Sequence, residues 1–200
     1  MTIAPQTLLN QAAADGRIDS VQRLIGVANP KHHYSEALRL AAQNGHLECV
    51  ALLIPVSDPM ANGSQALVWA AKNGHAECVR ALIPVSEPKA NDSEALSEAV
   101  ADGQMECAKL LIPVSDVAAN FSRALMWAVA RRDQRFIDLL YPLSRPQDAL
   151  FVLRRDYPQL DDVILLFEQV IARKDKEALQ NAIERHCFEA NTSISSGRKL

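Results

Sequence analysis

The sequence predicts an all-α solenoid of short helix-turn-helix repeats, and three observations predict it. First, the chain repeats itself every 29 residues: the dipeptide Ala-Leu begins at Ala37, Ala66, Ala95 and Ala124, and Gly16, Gly45, Gly74 and Gly103 keep the same step. Second, each block holds two apolar stripes at helical spacing, separated by that glycine. Third, a proline closes each block, in "PVS" at Pro55, Pro84 and Pro113 and in "PLS" at Pro142. Self-similarity at this scale marks a repeat architecture, in which each unit buries its apolar face only against its neighbours.

The blocks fall at 6–34, 35–63, 64–92, 93–121 and 122–150 (repeats 1 to 5), the outer two degenerate. Repeats 2 and 3 share 19 of 29 positions. In repeat 2, Ser35 is a candidate N-cap, its hydroxyl able to accept from an orphan amide of the first turn. Leu38, Ala41 and Ala42 follow at i, i+3, i+4, and Gly45 can close that helix in a left-handed conformation without a Cβ clash. Cys49, Val50, Leu53 and Ile54 form the second stripe. Pro55 ends it, because proline lacks the amide donor and collides with the carbonyl four residues back. "SDPMANG" supplies a turn to the next block. Helices this short are not stable alone, so stacking must supply the burial.

Beyond residue 150 the repeat dissolves. Val163, Leu166, Phe167, Val170 and Ile171 share one face, and Ala178, Leu179, Ala182, Ile183 and Cys187 continue a similar stripe. Residues 151–190 are therefore expected to form a helical cap over the open end of the stack. Residues 191–200, polar and serine-rich, are expected to form a disordered tail.

"EALRLAAQNGHLECVALLI" resembles the ankyrin repeat, whose signature is a "TPLHLAA" helix, a "GH" turn and a second "VxxLL" helix. The likeness runs over residues 6–150. It departs where the "TPL" proline is replaced by Ala37, Ala66, Ala95 and Ala124, and where the period is 29 rather than about 33. The shortfall is expected to fall in the inter-repeat segment, giving truncated β-turn fingers. A tetratricopeptide array, with a period of about 34, fits the pattern less well.

Composition narrows the chemistry. A net charge of −3 argues against indiscriminate binding to nucleic acid or anionic lipid. The apolar runs are too short to span a bilayer, and the first residues lack the basic start and apolar stretch of a secretory signal, which points to the cytoplasm. Cys49, Cys78 and Cys107 recur in register. Adjacent repeats stand about 8–10 Å apart, too far for a disulfide or a shared zinc, so the thiols are expected to be buried fillers with no metal bound. His46 and His75 follow the turn glycines, where an imidazole can bond backbone groups and lock neighbouring repeats; no nucleophile recurs at a helpful offset. His32 and His33 lie in a loop. Ser57, Ser86 and Ser115 sit just beyond helix ends, where turn bonds explain them. No P-loop, glycine fingerprint or carboxylate pair is present. No enzyme and no cofactor is expected.

What remains is a surface. Trp69 and Trp127 occupy equivalent positions where Leu40 and Glu98 stand in the other repeats; they fit a core position, or an anchor for a partner if their rings reach the open face. By its resemblance, the array is expected to bind another protein on the concave face of its first helices and adjoining turns, as a scaffold, an effector or an inhibitor. The residues before and at the turn, Gln43, Asn44, Lys72, Asn73, Asp102, Arg131 and Arg132, change chemistry from repeat to repeat, and with Trp69 and Trp127 they form the candidate site. Residues 35–121 hold 5 basic and 11 acidic side chains, whereas residues 122–155 hold 7 arginines and 3 aspartates. The alternative is phosphate or nucleic-acid binding through that arginine-rich end, since guanidinium pairs bidentately with phosphate as with carboxylate.

Overall fold

The computed structural model describes the backbone of residues 4–196, and the side chains of that span except those of 121 and 186–196. Among the described residues there is no strand. The chain divides into two compact bodies, residues 1–145 and 146–200.

The first body is the array. Its first helices are α1 (Pro5–Ala14), α3 (His32–Gln43), α5 (Ala61–Lys72), α7 (Ala90–Ala101) and α9 (Ala119–Ala130). Its second helices are α2 (Ile18–Leu24), α4 (Leu47–Leu53), α6 (Ala76–Leu82), α8 (Met105–Leu111) and α10 (Gln134–Leu140). Successive first helices pack side by side from α1 to α9, and α2, α4, α6 and α8 form a second row. The core lies between the rows. Leu38, Leu67, Leu96 and Leu125 line up in register with at most 1% exposure. Small buried residues flank this leucine ridge, alanine at 37 and 41 and their matching positions and alanine or valine at 42, 71, 100 and 129, and their size lets the first helices approach closely. From the second row come Cys49, Val50 and Leu53 and their equivalents. Each fully buried leucine contributes about 1.5–3 kcal/mol, which is how helices of 7 residues persist.

The glycine turn is a Schellman motif in every repeat. The Gly45 N–H donates to the Ala42 carbonyl (3.3 Å) and the His46 N–H to the Ala41 carbonyl (2.9 Å); the same pair of bonds recurs at Gly16, Gly74, Gly103 and residue 132. The glycines take φ of 69° to 80°. In repeat 5 the register falls on Arg132, which adopts φ 56° all the same.

At the proline the second helices of repeats 2 to 5 each tighten into a 3-10 turn, as at Ile54–Val56. The inter-repeat segment then makes a short Asx turn, with the Met60 N–H donating to Asp58 Oδ1 (3.1 Å), and the next first helix opens on a kink of three left-handed residues. These are His33, Tyr34 and Ser35; Asn62, Gly63 and Ser64; Asn91, Asp92 and Ser93. Left-handed conformations cost L-residues about 1–2 kcal/mol each, and the serines carry the compensation. Ser35 was expected to cap its own helix. Instead its hydroxyl accepts from the Asp58 N–H at the far end of the same repeat (2.8 Å), and Ser64, Ser93 and Ser122 do the same for Glu87, Asp116 and Arg145. Each serine thus ties the entry of its repeat to the exit, 23 residues on. Truncated fingers are what the short period leaves.

The second body pairs α11 (Pro146–Asp156) with α12 (Asp161–Ser196). Phe167 and Val170 of the expected apolar face are buried. The second stripe is not: Leu179 is 64% and Ile183 49% exposed, because α12 is one 36-residue helix whose later turns extend past α11. The Cys187 side chain lies outside the described residues. Of the expected tail, residues 191–196 continue α12 and residues 197–200 lie outside the described residues.

Candidate interaction surface

The solvent-facing stripe of the first helices is set by what the core leaves over. In α3 it comprises Glu36, Arg39, Leu40 and Gln43, at i, i+3, i+4 and i+7. Trp69 and Lys72 lie on the matching stripe of α5, Glu94 and Glu98 on that of α7, and Arg123, Met126 and Trp127 on that of α9.

The tryptophans sit on this stripe rather than in the core. Trp127 is 40% exposed. Trp69 is half-buried, and its Nε1–H donates to Gln65 Oε1 (3.0 Å) while Lys72 Nζ stands 5.6 Å from its ring centre. Lys72 also reaches into the next repeat, donating to Glu98 Oε2 (2.8 Å), with Asp102 at 3.9 Å. That hydrogen bond, with the nearby carboxylates, raises the Lys72 pKa. Glu98, its side chain only 17% exposed, takes Arg123 on its other oxygen (3.5 Å). The register position that carries indole in repeats 3 and 5 thus carries a doubly paired carboxylate in repeat 4.

The turn residues divide into two classes. Asn44 Nδ2 and His46 Nε2 both donate to the Ala14 carbonyl (3.1 and 2.9 Å), an orphan at the end of α1. Asn73 and His75 do the same to the Gln43 carbonyl (2.8 and 3.0 Å). A carbonyl only accepts, so in each ring Nε2 carries the proton. The histidines therefore fasten neighbouring repeats, as their position after the glycine suggested. Each ring also lies where a Cβ on the preceding glycine would sit: a methyl on Gly16 would fall 2.5 Å from His46 Nδ1, and one on Gly45 2.5 Å from His75 Nδ1. Arg131 makes the corresponding bond to the Ala101 carbonyl (2.8 Å). Asn44, Asn73 and Arg131 are thus committed, at least in part, to the array itself. Gln43 accepts from Arg39 (3.0 Å), whereas Asp102 and Arg132 are exposed.

One junction differs. Asp102 replaces the asparagine between repeats 3 and 4 and has no donor to offer the Lys72 carbonyl; Gln104 replaces the histidine and packs over Gly74 without making that bond. A second bond fails at the same place. The Ser57 and Ser86 hydroxyls donate to the Pro30 and Pro59 carbonyls (3.5 Å each), but the buried Ser115 hydroxyl, expected to make a turn bond, has no partner. The ion pairs of Lys72 span the junction where the backbone fastener is missing.

The arginine-rich segment is largely paired. Arg135 holds Asp133 (2.9 Å) and keeps that carboxyl below its usual range. Arg155 pairs with Asp156 and Arg154 with Glu168. Cys49, Cys78 and Cys107 are free and buried; removal from water pushes Cys78 and Cys107 up to about 11, helped by nearby negative charge. Among the described residues no three metal-binding side chains converge, and no helix is long and apolar enough to cross a membrane.

No curated protein matches the chain. A family description, ankyrin repeats in three copies, matches residues 9–93. The same turn and helix pair continue in register through α10, with Arg132 in the place of the glycine in repeat 5. Residues 9–93 match ankyrin repeats, and the paired rows of helices make the array as a whole an all-α repeat solenoid.

Proposed function

We propose that the protein captures another protein on the concave face of its first helices, with Trp69, Lys72, Asp102 and Trp127 as the principal contacts, and that it acts without catalysis. Ankyrin repeats are in general protein-interaction modules. One observation carries the reading to this face: on the first helices the solvent-facing registers beside the leucine ridge change from block to block, whereas the exposed glutamate of the second helices, at 48, 77 and 106, does not. The leucine ridge is constant, yet the neighbouring register runs Leu40, Trp69, Glu98, Trp127, and the next runs Gln43, Lys72, Ala101, Ala130. Folding alone would accept one residue at each exposed register. A half-exposed indole provides large contact area at low entropic cost. Gln43, Asn44, Asn73, Arg131 and Arg132 are proposed as the rim, where fastening and contact share a side chain. The arginine-rich alternative has less to support it, because most of its guanidinium groups already face carboxylates or a carbonyl.

The test is capture from cells of the source. Trp69→Ala, Lys72→Ala, Asp102→Ala and Trp127→Ala in one chain should abolish recovery of the partner while helicity is kept. A control replacing the exposed Glu48, Glu77 and Glu106 of the second helices should retain it. Equal recovery by both variants would refute the assignment of the face. Recovery of nucleic acid, lost with rising salt and on replacing Arg132 and Arg145, would favour the alternative.

A further inference from the structure

We infer that Asn62 is a site of spontaneous covalent modification, deamidation through a succinimide, selected from the other asparagines by its conformation and by its neighbour. The chain holds three Asn-Gly pairs, at 44–45, 62–63 and 73–74. In such a pair the backbone nitrogen of the glycine, once deprotonated, can attack the asparagine Cγ, because no side chain on the following residue obstructs the approach. The N–Cγ bond forms, the Cγ–Nδ2 bond breaks, and ammonia leaves. Water then opens the ring at either carbonyl, yielding aspartate or isoaspartate. One water is consumed and one ammonia released, and no oxidant or cofactor takes part.

Two of the pairs are held against this reaction. The Asn44 and Asn73 side chains donate to the Ala14 and Gln43 carbonyls, and the Gly45 and Gly74 N–H groups, the attacking nitrogens, donate to the Ala42 and Ala71 carbonyls. Attack must break both bonds at once, and with them the Schellman turn. Asn62 is different on each count. Its side chain is exposed and makes no hydrogen bond to the described residues, and the Gly63 N–H has no acceptor among them. The two residues lie in the left-handed kink at the entry of α5, where the rotation that brings nitrogen to Cγ breaks no hydrogen bond of either.

The array supplies its own second control. Asn91 and Asn120 occupy the register of Asn62 and share its left-handed backbone, with φ of 50° and 46° against 50°. They are followed by aspartate and phenylalanine rather than glycine. Asn44 and Asn73 therefore match Asn62 in neighbour but not in conformation, and Asn91 and Asn120 match it in conformation but not in neighbour. Only Asn62 has both. Isoaspartate there adds a backbone atom just before Ser64, whose hydroxyl accepts the Glu87 N–H (2.9 Å), and it places a new negative charge beside the Asn91 carboxamide that covers Gly63.

The experiment ages the full-length folded protein at mildly alkaline pH in ¹⁸O-water. Fragment masses then locate each exchange of amide for carboxyl, and isoaspartate is counted by enzymatic methylation. Modification at Asn62 is expected to outrun that at Asn44 and Asn73 by at least about tenfold, the effect of one net hydrogen bond or more. In denaturant the three Asn-Gly sites should converge while Asn91 and Asn120 stay slow. Asn62→His, which installs the residue already present at this register as His33, should remove nearly all isoaspartate from the folded protein. Comparable rates at Asn44, Asn73 or Asn91 in the folded chain would overturn the inference, as would an unmodified Asn62 on a timescale that exhausts it in denaturant.

Discussion

Arg132 occupies the one turn position that the other four repeats give to glycine, and replacing it should make the protein more stable. Its φ of 56° places an L-residue in the left-handed region, at a cost of about 1–2 kcal/mol. Its side chain is exposed and makes no hydrogen bond to the described residues, so Arg132→Gly removes none. Against the relief stands the greater freedom that glycine gives the unfolded chain, about 0.5–1 kcal/mol. The difference is a gain centred on about 0.75 kcal/mol and no larger than about 1.5 kcal/mol. Gly45→Ala should have the opposite sign, and larger. It meets the same left-handed cost at φ 77°, and its methyl falls 2.5 Å from His75 Nδ1, displacing the ring from the Gln43 carbonyl. A loss of about 2–4 kcal/mol follows from strain, clash and the lost bond together. Gly26→Ala is the control, with no atom within 4 Å of the added methyl and no positive φ. Urea unfolding followed by circular dichroism would measure all three, read from midpoints at unchanged slope. If Arg132→Gly proves neutral or destabilising while Gly26→Ala behaves as expected, then left-handed strain at the turn is not what the glycines relieve.

Two further outcomes follow from the same junctions and the buried thiols. Asp102→Asn restores a donor facing the Lys72 carbonyl and should stabilise by about 0.5–1.5 kcal/mol; it leaves the Lys72–Glu98 pair in place, and the gain should appear as a raised Tm and slower amide exchange in α7 and α8. The thiols of Cys78 and Cys107 should stay unmodified by aromatic disulfides at pH 8 until urea unfolds the chain. Their pKa is raised from the ordinary 9.0 to about 11, so the stability they contribute is complete below pH 9 and is lost as pH rises towards 11. A urea midpoint that stays flat across that window, or rapid labelling of the folded protein, would contradict the burial.

Apolar spacing carried most of the fold. It located the helix pairs, the leucine ridge, the buried cysteines and the glycine turn, because a period of 29 repeats each physical constraint several times over. The role of His46 and His75 was legible for the same reason. Hydrogen-bond partners were not. Ser35 looks like a helix cap at close range, and nothing in its neighbours points to an amide 23 residues away. Asn44, Asn73 and Arg131 read as free contact residues because they vary or lie beside a turn; only their geometry shows the carbonyl behind them. Glu98 was visible as an oddity in the tryptophan register, but its two cations come from the helices on either side. The arginine-rich segment stood out by composition, which counts charges without their partners.

The backward reach of the fasteners has a consequence for how such a chain can grow. Every asparagine, histidine or arginine side chain that clasps a neighbour's backbone carbonyl belongs to the later repeat, and the carbonyl belongs to the earlier one. A duplicated block therefore arrives with its own clasp and presents a fresh acceptor to whatever comes next. Lengthening by in-frame copying needs no compensating change elsewhere, and a single lapse such as Asp102 weakens one link without unseating the rest.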